Sequence, residues 1–71
     1  MKTTYVYRLY SWTGAPLYIG CTGNWPRRMR EHWAFSPWML DVVEVRIERF
    51  DNKFVALNRE RELIAKETPI Y

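Results

Sequence analysis

Arg28 and His32 stand four residues apart, the spacing that sets two side chains on one edge of a helix. A guanidinium is the natural fork for a phosphate. A neutral imidazole can take a proton or orient a phenol. Two phenols, Tyr7 and Tyr18, lie a short distance upstream. A tyrosine of ordinary pKa, about 10, is a poor base at neutral pH and needs positive charge beside it to serve as one. Arg28 and a metal ion are the sources of such charge that the sequence offers. Glu60 is the fifth residue of interest. At about 100° per residue, Ala56, Leu57, Leu63 and Ile64 form one apolar stripe, and Glu60 falls in its centre. A carboxylate facing a core is costly unless paired. It snorkels out to solvent, meets an arginine such as Arg28, or binds a hard cation such as Mg²⁺.

Each of these residues has a plainer role open to it. Arg28 can be a solvated surface charge, and Tyr7 and Tyr18 can be core aromatics with hydroxyls satisfied at the sheet edge. Tyr5 and Tyr10 read as that second kind. Cys21 lacks a titrating partner other than His32 and reads as a small, half-buried thiol. Trp25, Trp33 and Trp38 could stack on bases, but a core this small needs them for packing.

The elements that must position these groups are legible. Tyr5 to Ser11 reads as a strand, residues 12–16 as a turn with Gly14 free to take positive φ, and Leu17 to Cys21 as the returning strand. Asn24 is a good N-cap and Pro26 suits a first helical turn, so a helix runs from Trp25 to Phe35 until Ser36-Pro37 stops it. On it Trp25, Met29 and Trp33 make an apolar line beside Arg28 and His32, while Arg27, Arg30 and Glu31 point away. Asp41 to Phe50 alternates, with Val43, Val45 and Ile47 on one face and Glu44, Arg46 and Glu48 on the other. The apolar set is expected to face the core beside Leu57 and Ile64. Asp51-Asn52 caps a last helix from Lys53 to Glu67, closed by Thr68-Pro69. The expected fold is α/β (α+β), a single β-β-α-β-α domain over residues 1–71. Its first strand lies in the middle of a three-stranded, mainly antiparallel sheet, and a right-handed crossover joins the second strand to the third.

Composition narrows the function. The 71 residues are 48% hydrophobic and 17% aromatic, which suits one packed core near the lower size limit. One cysteine excludes an internal disulfide framework and suits a reducing, cytoplasmic (intracellular) setting. With a single histidine besides, no zinc site can be built from this chain alone. No stretch approaches the ~20 apolar residues of a membrane span, and Met1 to Thr4 lacks the apolar core of a signal peptide. A net charge of +3 is compatible with nucleic acid without establishing it. Arg8, Arg27, Arg28, Arg30 and Arg61 are the candidate phosphate contacts.

Taken in order, the motifs resemble the GIY-YIG nuclease superfamily over Tyr5 to Tyr71. Tyr5-Val6-Tyr7 matches the first motif and Tyr18-Ile19-Gly20 the second, with residues 8–17 between them. Arg28 and His32 match the arginine and histidine that follow. Ala56, Glu60, Leu63 and Ile64 match the helix carrying the family's metal-binding glutamate, and Pro69 and Tyr71 the closing P-x-Y. The resemblance implies an endonuclease that hydrolyses DNA phosphodiesters with one divalent metal. Glu60 would hold Mg²⁺ (or Mn²⁺) on the leaving-group side, and Arg28 would neutralise the scissile phosphate. Tyr7 or Tyr18, Tyr7 by preference, would activate water with help from His32. DNA, including branched or single-stranded regions, is the implied partner. Tyr5 replaces the nominal glycine, Cys21 stands where some members have lysine, and the asparagine that often follows P-x-Y has no counterpart up to Tyr71. The alternative is a nucleic-acid-binding domain on the same scaffold that does not cut efficiently.

Overall fold

The computed structural model describes residues 3–71. Its elements are β1 (Thr4–Ser11), β2 (Pro16–Thr22), α1 (Trp25–Phe35), a 3₁₀ turn (Pro37–Asp41), β3 (Val42–Phe50) and α2 (Lys53–Glu67). Apart from the 3₁₀ turn, each lies where the sequence pattern places it. The hairpin closes at Gly14, whose φ of 84° a side chain would resist. Asn24 caps α1 by accepting from the Arg27 N–H at 3.2 Å, and Asn52 caps α2 by accepting from Phe54 at 2.8 Å and Val55 at 3.3 Å. α2 ends at Thr68 in the left-handed region, where its N–H meets the Ile64 carbonyl at 2.9 Å.

The sheet order is β2-β1-β3 and both pairings are antiparallel, so β1 is central as expected. After Pro69 the chain runs along the outer edge of β2, where the N–H groups of Ile70 and Tyr71 bond the carbonyls of Pro16 and Leu17. Alternation along β1 divides the interior. Val6 packs with Ile19, Ala56 and Leu63 beneath α2, while Tyr7 and Leu9 pack with Met39 on the α1 side.

The face of β3 differs from expectation. Ile47 pairs with Tyr7 and Val45 with Leu9, which turns both toward the α1 side of the sheet, away from α2. The α1 layer packs on β1 and β2 and reaches β3 at Val42, so Val43, Val45 and Ile47 remain 66%, 45% and 39% exposed. Ile64 is exposed and Leu57 only half-buried. Beneath α2, β3 instead presents Glu44, Arg46 and Glu48. That polar face is tolerated because cations meet it: Arg8 lies 3.4 Å from Glu48 and 3.1 Å from Glu67, and Arg59 lies 3.1 Å from Glu48. The Tyr10 hydroxyl donates to Glu67, and the Arg46 guanidinium sits 4.9 Å over the Tyr10 ring. Burial raises the Glu67 carboxyl, but Tyr10 and Arg8 outweigh it and leave the group below the ordinary carboxylate range. Alternation located the strand but could not say that arginines would claim its charged side.

The tryptophans also depart from expectation. Trp12 and Trp33 are exposed, Trp25 is at the margin, and only Trp38 is half-buried. The aromatic weight of the interior falls on Tyr7 and Tyr10 instead.

This arrangement predicts that Arg8→Ala, which leaves Glu48 to Arg59 and Glu67 to the Tyr10 hydroxyl, costs about 1–2 kcal/mol, between the values for exposed and buried pairs. Val45→Thr, on the uncovered face, should change stability by less than about 0.5 kcal/mol. Urea unfolding of both variants measures the contrast, and the reverse ranking would contradict the assignment of faces.

Candidate active site

Four of the five residues singled out for chemistry converge where α1 crosses β1 and β2. Tyr7 is fully buried on β1, and Tyr18 is its neighbour on β2. Their rings stack 5.9 Å apart. Gly20 makes room for this, because it pairs with Tyr7 and a Cβ there would lie 2.5 Å from Tyr7 Cζ and 2.8 Å from Tyr18 Cε2. On α1, the Asn24 cap and Pro26 fix the helix start, and Arg28, Met29 and His32 turn inward while Trp33 turns out. The inward edge is therefore more polar than the expected Trp25–Met29–Trp33 line.

Arg28 joins the two phenols. Its Nε donates to the Tyr7 hydroxyl oxygen at 3.2 Å, Nη2 donates to the Tyr18 hydroxyl at 3.2 Å, and Nη1 reaches Glu31 at 3.3 Å. The Tyr7 hydroxyl lies 2.8 Å from His32 Nε2. Since Arg28 can only donate, the Tyr7 oxygen accepts from it. On its other side the His32 ring faces Ser36 Oγ through Nδ1 at 3.5 Å. Burial, and then the Arg28 charge, push the His32 pKa down and favour the neutral ring. Burial pushes the Tyr7 phenol strongly up, more than the Arg28 hydrogen bond lowers it. The hydrogen bonds it donates to Tyr18 and Tyr7 hold Arg28 even more firmly charged than usual.

Arg28 forms a ridge between two hollows. One, about 360 Å³, is lined by Tyr18, His32, Phe35, Trp38 and Tyr71. The other, about 630 Å³, is lined by Thr3, Tyr5, Thr22, Gly23, Asn24 and Arg27. Rings continue outward from Tyr7 through Tyr18 and Trp38 to Tyr71, stacked 5.3 Å and 5.4 Å apart in the last two steps. Neither Trp38 nor Tyr71 was picked out as part of the site from sequence. Trp38 read as packing, and Tyr71 matched a motif without a visible role. Ser36 and Glu31 were likewise missed, although Ser36 four residues beyond His32 is a signal that helical spacing could have supplied.

Glu60 lies apart from this cluster, on α2. It lines a third hollow with Cys21, Lys53 and Leu57, which shares Thr3, Thr22 and Gly23 with the hollow beside Arg28. It makes no hydrogen bond or ion pair among the described residues, so the Arg28–Glu60 pair that sequence left open does not form. Burial raises its carboxyl pKa. No cluster of three or more histidine, cysteine, aspartate or glutamate side chains suited to a metal occurs among the described residues. A cation here would rest on Glu60 and water, a ligand set that Mg²⁺ accepts. Of the candidate phosphate contacts, Arg27 and Arg30 are exposed on α1 beside Arg28, and Arg61 is exposed on α2. Arg8 lies on the α2 side of the sheet, with its charge already shared between Glu48 and Glu67.

Two outcomes test this geometry. Because the folded pKa of His32 lies below its unfolded value, the unfolded chain takes up the proton first as pH falls below about 6.5. Stability should therefore drop over that acid window, and His32→Gln should drop less when chemical denaturation at pH 7.5 and 5.5 is compared. Gly20→Ala should cost about 1–3 kcal/mol by forcing the Tyr7 ring from its place, measured by thermal melt. An unchanged melt would mean the phenol does not cross Gly20 so closely.

In comparisons with protein-family models, curated proteins and solved structures, nothing matched this chain.

Proposed function

We propose that the chain is a metal-dependent endonuclease hydrolysing DNA phosphodiester bonds, of the GIY-YIG kind that its motifs resemble. One observation carries this reading. Arg28 is held by two phenols and opposed by one part-exposed carboxylate, Glu31, on a ridge between open hollows. A neutral acceptor fixes a guanidinium without consuming its charge, which then remains for a phosphate. The partial claim of Glu31, itself part-exposed, is weak enough for an incoming anion to displace.

Tyr7 is sealed from solvent and hydrogen-bonded to His32. The phenol within reach of substrate is Tyr18, which lines the hollow with Arg28 and His32. Tyr18 therefore orients the attacking water and takes its proton only as the phenolate, its own proton having first passed to solvent through the open hollow while Arg28 holds the charged oxygen, and Tyr7 and His32 position Arg28 and the α1 edge around it. Arg28 stabilises the charge that builds on the phosphoryl oxygens as the P–O bond to the leaving oxygen breaks. Glu60 fits a hydrated divalent cation, being part-buried, unpaired among the described residues and raised in pKa. Mg²⁺ or Mn²⁺ bound there supplies Lewis-acid stabilisation of the leaving oxygen. DNA backbone lies along the joined hollows, with Arg27 and Arg30 adding exposed charge. With so few cations, binding is expected to be weak, indifferent to sequence and reduced by salt.

A domain that binds without cutting is the second reading, and the burial of Tyr7 and the single carboxylate at Glu60 favour it. Plasmid nicking with and without Mg²⁺ separates the two. Nicking should require the metal and fall about 100-fold or more in Arg28→Lys, which keeps charge but loses the fork. Glu60→Gln should also abolish nicking while DNA binding persists. Since the folded pKa of Glu60 is raised, its ionised form costs stability as pH rises through that pKa. Metal-free Glu60→Gln should consequently melt at or above the parent temperature near pH 7. Marked destabilisation with nicking retained, or nicking that needs no metal, would overturn the metal assignment, and no nicking at all would overturn the enzyme.

A further inference from the structure

We infer that β3 is a dimerisation edge, on which a second copy of this chain adds antiparallel to make a continuous six-stranded sheet. The sheet has two outer edges. That of β2 is taken at Pro16 and Leu17 by the N–H groups of Ile70 and Tyr71, whereas β3 has β1 as its one neighbour among the described residues along its whole length. Its outer flank therefore offers unpaired backbone donors and acceptors over Val42–Phe50.

The side chains select the partner. With a two-fold axis at Val45, Val45 faces its counterpart, Val43 faces Ile47 and Glu44 faces Arg46, each pair occurring in both directions. Apolar meets apolar on one side of the sheet and opposite charges meet on the other. Glu44 and Arg46 are each about half exposed, and their mutual 2.7 Å contact is within one strand, free to be exchanged across the axis. Neighbouring registers do worse. An axis at Arg46 opposes Arg46 to itself and Glu44 to Glu48. An axis at Ile47 sets Val45 against Arg49 and asks for Glu48, which Arg8 and Arg59 already hold.

Val43 has no partner on β1 because the register shifts there, a bulge beyond which pairing resumes at Ser11 and Val42. At the far side of each copy, Ile70 and Tyr71 block strand addition at Pro16 and Leu17. Opposed residues on antiparallel strands share a face, so both α1 helices stand on one side of the joined sheet. The two Arg28 ridges then open on the same side, on outer strand pairs separated by a few strand spacings of about 4.8 Å each.

Sedimentation equilibrium of the full chain tests this. The expected mass is twice 8.7 kDa at high concentration, without DNA or metal. Glu44→Arg alone and Arg46→Glu alone should each weaken the dimer at least about tenfold, because two attractive pairs become repulsive. An equimolar mixture of these two variants should restore it, since arginine at both positions of one copy meets glutamate at both positions of the other. Circular dichroism of each variant establishes that it folds, and Val45→Lys, at the axis, gives a third disruption independent of the ion pairs. A parent chain that remains monomeric overturns the proposal. So does a dimer unaffected by the single swaps, or folded variants that fail to associate when mixed.

Discussion

The site depends on a guanidinium held by two phenols and shared with one part-exposed carboxylate, Glu31. Arg28 is part-buried, so its donors require acceptors, and the two strands of the hairpin supply phenols rather than carboxylates. This satisfies the hydrogen bonds without forming a tight neutral pair. The phenols are themselves held: Tyr7 by His32 and by the space left at Gly20, Tyr18 by its stack between Tyr7 and Trp38. Each group in the set has its orientation fixed by another, as preorganised electrostatics demands.

The opposite side of the sheet handles charge in the contrary way. There Arg8 and Arg59 are matched to Glu48 and Glu67, and the arrangement ties β1, β3 and α2 together. Alternation along β1 keeps these regimes apart: Tyr7 and Leu9 look toward α1, Arg8 and Tyr10 toward α2. A slip of one residue would exchange them, placing a paired arginine where the phenol belongs. Register in the central strand therefore sets the candidate site as well as the core.

Sequence carried the boundaries well because local chemistry wrote them: Asn24 and Asn52 as caps, Gly14 in the turn, Pro26 in the first turn of α1. It also brought Tyr7, Tyr18, Arg28 and His32 together, since β pairing and helical spacing are regular. What it could not supply was the outcome of competition. Val43, Val45 and Ile47 form as good an apolar face as any, yet the α1 layer packs on β1 and β2, and arginines from β1 and α2 claim the charged side of β3. Trp33 loses its expected place in the α1 core line to Met29 and His32 for a similar reason. Tyr71 joins the aromatic stack only because the chain's last residues bond back to β2, a contact 54 positions away in sequence from Leu17 to Tyr71.

The distribution of strain among these groups bears on how the site would work. In a 71-residue chain each buried polar group is a substantial fraction of net stability. His32 and Tyr7 offset their burial by bonding one another, and among the described residues no buried polar side-chain atom is left without a partner. Glu60 differs, because burial raises its pKa and no described partner lowers it. The unfavourable charge is thus concentrated at one carboxylate, beside a hollow that adjoins Arg28. A divalent cation at Glu60 would remove that cost while a phosphate at Arg28 engages the waiting charge. The two ligands would therefore assist each other's binding, metal and phosphate each reducing the electrostatic cost of the other.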